Sequence, residues 1–252
     1  MHYDQMTRRT VLNCLCAAML GCLSPAWSAS SRAAEKPIKV LIITGFDVKA
    51  HNWRATTAFV RDVLEQEGQC DVRVSEDIGI LDSPSLDKYD VIVLNYGFWA
   101  APEPSAKGKS NLLDFVKRGK GLVALHFACS SFQEWDEYGK LLGRVWKKGI
   151  GGHGPRGPFT VKIETPDHPI TRGIGAFEMN DELYARLSGD EPITVLASAD
   201  SDWSKKTEPI LWVKHYGKGR VVHNVLGHDV KARRTPPYPT LLKRSVAWAA
   251  GR

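Results

Sequence analysis

Cysteine is scarce in this 252-residue chain: there are five, and Cys14, Cys16 and Cys22 all fall near its start. Only Cys70 and Cys129 lie beyond, far apart, and no CxxC or Cys/His zinc spacing occurs. A disulfide framework and a zinc ribbon are thereby excluded. No apolar run reaches the roughly 20 residues that a membrane-spanning helix needs. The Walker loop, HExxH and GxSxG are also missing, which removes support for P-loop, zinc-protease and ordinary α/β-hydrolase readings. Excess charge is small as well. The 34 Lys+Arg against 28 Asp+Glu leave +6, without a basic block, so no nucleic-acid partner is expected. What remains is 43% hydrophobic with 22 Gly and 14 Pro, the composition of a globular protein with a sizeable core.

The start of the chain has the composition of an address. Arg8-Arg9-Thr10-Val11-Leu12 precedes an apolar run of about a dozen residues and then small residues, the pattern of a secretory signal. The paired arginines resemble a twin-arginine export signal. Residues 1–34 are therefore expected to be an export signal and short spacer, with one domain over 35–252 and a periplasmic or otherwise exported location. An alternative is a lipid anchor at Cys22, although Leu20 is bulky where a small residue is usual. The mature form has no expected spanning segment, and its charge falls to about +4.

Along the rest of the chain, apolar runs at 38–44, 89–95, 122–126 and 220–225 have the pattern of buried strands, and 70–75 alternates as a further one. Helical spacing marks 54–67, 110–117, 132–142 and 238–250. The second half adds strand patterns at 159–164, 193–198 and 209–215, with Gly217-Lys218-Gly219 as a hairpin turn. This alternation predicts an α/β fold: a flavodoxin-like, doubly wound, mostly parallel sheet with additional β-structure in the C-terminal half. Ligands of such sheets sit at the carboxyl ends of the strands.

Several polar and aromatic residues collect at those ends. His126 closes an apolar strand, His228-Asp229 follows another, and Asn95 and Trp99 follow a third. His51 and Trp53 add to the rim after the first strand, and Gly151-Gly152-His153-Gly154 is a loop whose backbone can approach a ligand closely. Asp181 and Glu182 are adjacent, so in a strand they would point to opposite faces and at most one would enter a given pocket. Each histidine alone also fits a packed or surface role, and the acid pair fits a solvated turn. His223 reads as packed, His168 as shaping a turn, and Cys129 as a buried inert thiol.

Together the segments Lys39–Ile42, His51-Asn52-Trp53, Gly121–His126, Gly151-Gly152-His153, His168–Gly173, Asp181–Tyr184, Gly217–Arg220 and Leu226–Asp229 resemble the ThuA-like, trehalose-utilisation family. That family has a class I glutamine-amidotransferase-like fold. The resemblance implies disaccharide or polyol catabolism through 3-keto-sugars, with functional coupling to a sugar oxidoreductase. Amidotransferase relatives use a Cys on a glycine-rich elbow with an HxE pair; Cys129 lacks the glycines and no HxE follows, so that activity is not expected. The expected function is acid/base chemistry (lyase, hydrolase or isomerase) on a 3-keto-glycoside or keto-sugar. Its catalytic candidates are His126, His153, Asp181, Glu182 and His228, and its substrate-binding candidates are His51, Trp53, Asn95, Trp99 and Asp229. Trp135 offers a further flat face. No cofactor is required, but His126, His153 and His228 would suit a divalent metal such as zinc. The alternative is a non-catalytic carbohydrate-binding or accessory protein, separable by whether His126, His153 and His228 share one pocket.

Overall fold

The computed structural model describes residues 35–252. The export-signal and lipid-anchor readings fall on residues outside that range. Among the described residues no helix is long and apolar enough to cross a membrane.

Six consecutive residues, IKVLII, form β1 (Ile38–Ile43), and all but Lys39 are buried. Side chains of a strand alternate between faces, so burial of neighbours means that both faces are covered. Val40 and Ile42 join Val91, Val93 and Val123 on one face, while Leu41 and Ile43 join Ile92, Leu94 and Leu122 on the other. The partners of β1 are β2 (Cys70–Ser75) and β3 (Val91–Leu94), both parallel to it. The series continues through β4 (Gly121–Leu125) to β11 (Gly219–Asn224), again parallel. Helices cover the two faces: α1 (Trp53–Glu65) and α5 (Pro237–Ala249) on one, α2 (Ala106–Lys117) and α3 (Asp136–Leu142) on the other. The apolar stripe Leu241, Leu242, Val246 and Ala249 of α5 is buried, as its spacing requires.

From β11 the sheet reverses. It runs through β10 (Lys206–Tyr216), β9 (Thr194–Ser201), β6 (Gly157–Ile163) and β7 (Phe177–Asp181), each antiparallel to the last. The nine-stranded order is β2-β1-β3-β4-β11-β10-β9-β6-β7. Four reversals return β7 to the direction of the parallel strands, so its last residue, Asp181, ends on the same side as their tips. A separate short pair, β5 (Gly152–His153) with β8 (Tyr184–Ala185), joins the glycine-rich loop to the chain after β7. A short α4 (Val230–Arg233) follows β11.

Local chemistry alters some expected boundaries. The fourth strand stops at Leu125 because His126 turns into the left-handed region (φ 45°) and starts a 3₁₀ turn over 126–130. The helix expected from Phe132 starts at Asp136, since Phe132 is itself left-handed (φ 55°). β5, β7, β8 and α4 are too short, or too weakly patterned, to stand out in the sequence. Where β3 ends, Gly97 lies so close to the 126–130 turn that a Cβ there would sit 2.2 Å from the Phe127 carbonyl oxygen. This close approach requires glycine.

Candidate functional site

Four elements deliver histidines to the carboxyl end of the sheet. His51 comes from the loop between β1 and α1, just before Asn52, whose side chain caps α1 by accepting from Ala55 N–H at 3.1 Å. The loop is fastened by Asp47, whose carboxylate accepts from the Trp53 indole and from Arg54, each at 2.6 Å. His126 stands at the turn after β4. Its Nδ1–H donates to the Val225 carbonyl at 2.7 Å, because a carbonyl can only accept. That fixes the tautomer and leaves the Nε2 lone pair facing the Tyr184 hydroxyl at 2.7 Å. His228 follows β11. His153 lies on β5, where Nδ1–H donates to the Gly154 carbonyl at 2.6 Å and Nε2 is left as a base.

These imidazoles converge on Glu182. Its Oε2 lies 3.0 Å from His228 Nδ1, 3.7 Å from His126 Nε2 and 3.7 Å from His153 Nε2. His51 completes the group through its ring, with centroids 4.7 Å from His228 and 5.2 Å from His126. Burial pulls the Glu182 carboxyl upward, but the adjacent His126 and His228 outweigh it and hold the group well below the ordinary carboxylate range. Burial, reinforced by His126 and His228, pushes His51 down to about 3, so its ring is neutral. Both His51 nitrogens are shielded from solvent without a hydrogen-bond partner, and so is Nδ1 of His228 by alignment despite its closeness to Glu182.

Asp181 and Glu182 divide as the strand alternation requires. Asp181 is fully buried and accepts from the backbone N–H groups of Gly227 (2.5 Å) and His228 (3.1 Å). It therefore holds the chain that carries His228, whereas Glu182 enters the cluster. This corrects Asp181 as a candidate catalytic group: its carboxylate is occupied by backbone donors and has no exposed surface.

Other candidates turn out to be structural. Asn95 spends its amide on the Thr56 and Thr57 hydroxyls and accepts from Arg233, so no polar atom remains for a substrate. Asp229 caps α4 through Ala232 N–H (2.8 Å) and pairs with Arg156 at 2.5 and 3.0 Å. Trp53 is buried, with its indole N–H taken by Asp47. Trp135 is buried against Tyr138 and Phe132, in the core on the other face of the sheet. Trp99 is half-buried and edge-on to Phe127. The three-histidine metal set is corrected too. The donor atoms that come within 4.8 Å of one another belong to His51, His126, Glu182 and His228, and His153 is not among them. Cys129 is fully buried, and burial raises its thiol to about 12, so it is neither reachable nor ionised.

Sequence reasoning did not single out Tyr184, Trp146, Arg156 or Arg233. The Tyr184 ring is tilted against His126 at 4.3 Å and edge-on to Trp146 at 4.7 Å, and Trp146 is in turn edge-on to His153. Buried Arg233 binds the Gly227 carbonyl (2.8 Å) and Asn95 (2.9 Å), tying two strand tips together. The sequence signal for Tyr184 was its place two residues after Glu182; Arg233 had none. His51 and His126 line a narrow cleft of about 30 Å³. A separate cavity of about 290 Å³, which none of the cluster side chains lines, is bounded by Gly154, Leu183, Asp200, Asp202 and Trp203, among others. That is near the lower end of ordinary ligand pockets.

The comparisons with known proteins agree with this architecture. No curated protein matches the chain. Among solved structures, a ThuA-like protein from Parabacteroides merdae superposes with a TM-score of 0.76 at 26% identity, covering 85% of this chain and 90% of that one. A ThuA-like protein from Bacteroides uniformis gives 0.72 at 18% identity, over 88% and 95%. A β-galactosidase from Rahnella sp. R3 shares the fold at 0.57 and 17% identity, over 84% of this chain and 31% of that enzyme. The family described as ThuA, trehalose utilisation, matches residues 39–249, and the chain belongs to it.

Proposed function

We propose that this ThuA-family protein is an exported enzyme that performs acid–base chemistry on a 3-keto-glycoside or related keto-sugar. One observation carries the reading: His126, His153 and His228 all approach a single carboxylate oxygen, Oε2 of Glu182, at 3.0–3.7 Å. A sugar-binding module needs stacking faces and hydrogen-bonding groups, but has no need of several imidazoles about one carboxylate.

A C3 ketone acidifies the C2–H bond. A base takes that proton, and the C–H electrons form an enolate on the ketone. When the enolate collapses, the C1–O bond breaks and the departing glycosidic oxygen takes a proton from an acid, leaving an enone to which water can add. His153 suits the first role: it is the most open of the four, 33% exposed, and its Nε2 is unprotonated.

The test is incubation of the purified full-length chain with a 3-keto-disaccharide in D₂O, followed by NMR beside His153→Ala and His126→Ala. Deuterium at C2 or glycosidic cleavage, lost in His153→Ala, is the expected result. Substrate line broadening without reaction in any of the three proteins would overturn the proposal in favour of a binding module.

A further inference from the structure

We propose that His51, His126, His228 and Glu182 form a binding site for one divalent cation of the zinc class, with His153 left outside it for proton transfer. The four donor atoms come from four places at one end of the sheet (the β1–α1 loop, the β4 tip, the β11 tip and the end of β7) and lie within 4.8 Å of one another. Ring spacing gives a stricter check. With metal–nitrogen bonds of about 2.0–2.1 Å and ring centres about 1.1 Å further out, tetrahedral imidazoles have centroids about 5.2 Å apart. The observed triangle is 4.7, 5.2 and 5.5 Å. The rings already stand where such ligands stand, and side-chain rotation suffices to draw the donor atoms inward.

Hydrogen bonding supports the same assignment. Buried polar atoms without partners are rare and cost roughly 1–3 kcal/mol each. Two of them meet here, both nitrogens of His51, beside Nδ1 of His228, which faces Glu182 at 3.0 Å. Lone pairs gathered beside an ionised carboxylate are what a cation satisfies. The support behind the ligands fits as well. The Nδ1–H of His126 is held by the Val225 carbonyl, and the backbone of His228 is held by Asp181, the kind of outer contacts that orient metal-bound imidazoles. An ion would take the His126 Nε2 lone pair that the Tyr184 hydroxyl now contacts, so loading moves that hydroxyl off the ring. Three nitrogens and one oxygen favour zinc, cobalt or nickel over magnesium or calcium.

His223 supplies a contrast within the same chain. Both of its nitrogens are buried and unpartnered, yet it lies inside β11 against Trp212 and outside the four-residue donor cluster. An orphaned imidazole alone is not the criterion; convergence is. The ion's use, polarising the ketone, rests on the keto-sugar reading above, whereas its presence does not.

The test uses untagged full-length protein, stripped with chelator and titrated with Co²⁺ and Zn²⁺. Wild type should take up one equivalent, with visible cobalt d–d absorption of a four- or five-coordinate site. His51→Ala and Glu182→Gln should bind about 100-fold more weakly or worse; His223→Ala and His153→Ala should keep the stoichiometry and spectrum. Circular dichroism reports whether the variants fold, and the wild-type spectrum decides if they do not. Wild type without d–d bands, or His51→Ala binding like wild type, would overturn the site. Bound ion without turnover of a 3-keto-disaccharide keeps the site and removes the keto-sugar reading. Turnover by ion-free protein keeps the keto-sugar reading and removes the ion from its chemistry, while the titration alone decides the site.

Discussion

At the amino-terminal end of the parallel strands, Asp90 accepts from the backbone N–H of Lys39 (3.0 Å) and from Lys120 Nζ (3.2 Å), and both charges reach solvent. At the opposite end of the same strands, His51 keeps two nitrogens without partners, and Glu182 sits ionised among imidazoles at 15% exposure. The bodies of β3 and β4 between are alike, apolar and covered on both faces. Polar groups at the first end are paired in the ordinary way of a protein surface. Those at the second are crowded, shielded and incompletely satisfied, and one of them is held at an unfavourable backbone angle: His126 at φ 45°, a conformation that costs a non-glycine residue roughly 1–3 kcal/mol. Such an imbalance within one sheet separates a scaffold from a working site.

The sharpest way to break the contrast is Glu182→Gln, which removes the anion and keeps the shape. Turnover of the keto-sugar should fall by about 10²–10⁴-fold in steady-state assays, with the thermal midpoint nearly unchanged. Asp181→Ala attacks the frame of that site. It strands two buried N–H donors, so urea unfolding should show a loss of about 3–5 kcal/mol. Asn95→Ala removes the link between Thr56, Thr57 and Arg233; about 1–2 kcal/mol is expected, with KM affected less than kcat.

The smallest effect belongs to the other end. Burial pulls the Asp90 carboxyl upward, but the hydrogen bonds from Lys39 and Lys120 outweigh it and keep the group below its ordinary value. A depressed folded pKa contributes stability above the unfolded value, near pH 4, that is lost as pH falls through the folded one. Asp90→Asn should therefore cost only about 0.5–1 kcal/mol at neutral pH, discounted for its exposure, and the difference from wild type should vanish in acid. Turnover should not change.

Much of this was legible in the chain. The runs Val91-Ile92-Val93-Leu94 and Leu122-Val123-Ala124-Leu125 are apolar because both faces of a parallel strand are covered, and their tips could be located to within a residue or so. The histidines after those tips stood out for the same reason: nothing in a buried strand requires an imidazole. Asp181 and Glu182 were legible as an alternating pair, but not which of them would face inward, since that depends on the register of β7 with β6. The Arg156–Asp229 and Arg233–Asn95 contacts were opaque because their partners lie scores of residues apart in the chain. His51 carried no pattern as a cluster member, because only the β1–α1 loop conformation brings its ring beside His126.

The bond between Arg156 and Asp229 has a consequence beyond packing. It ties the segment just after His153 to the turn just after His228, and both partners are about one-third exposed. Salt weakens ion pairs that stand partly in solvent, as this one does. The segment beside His153 is thus moored to the His228 turn by a contact that brine loosens and dilute buffer tightens.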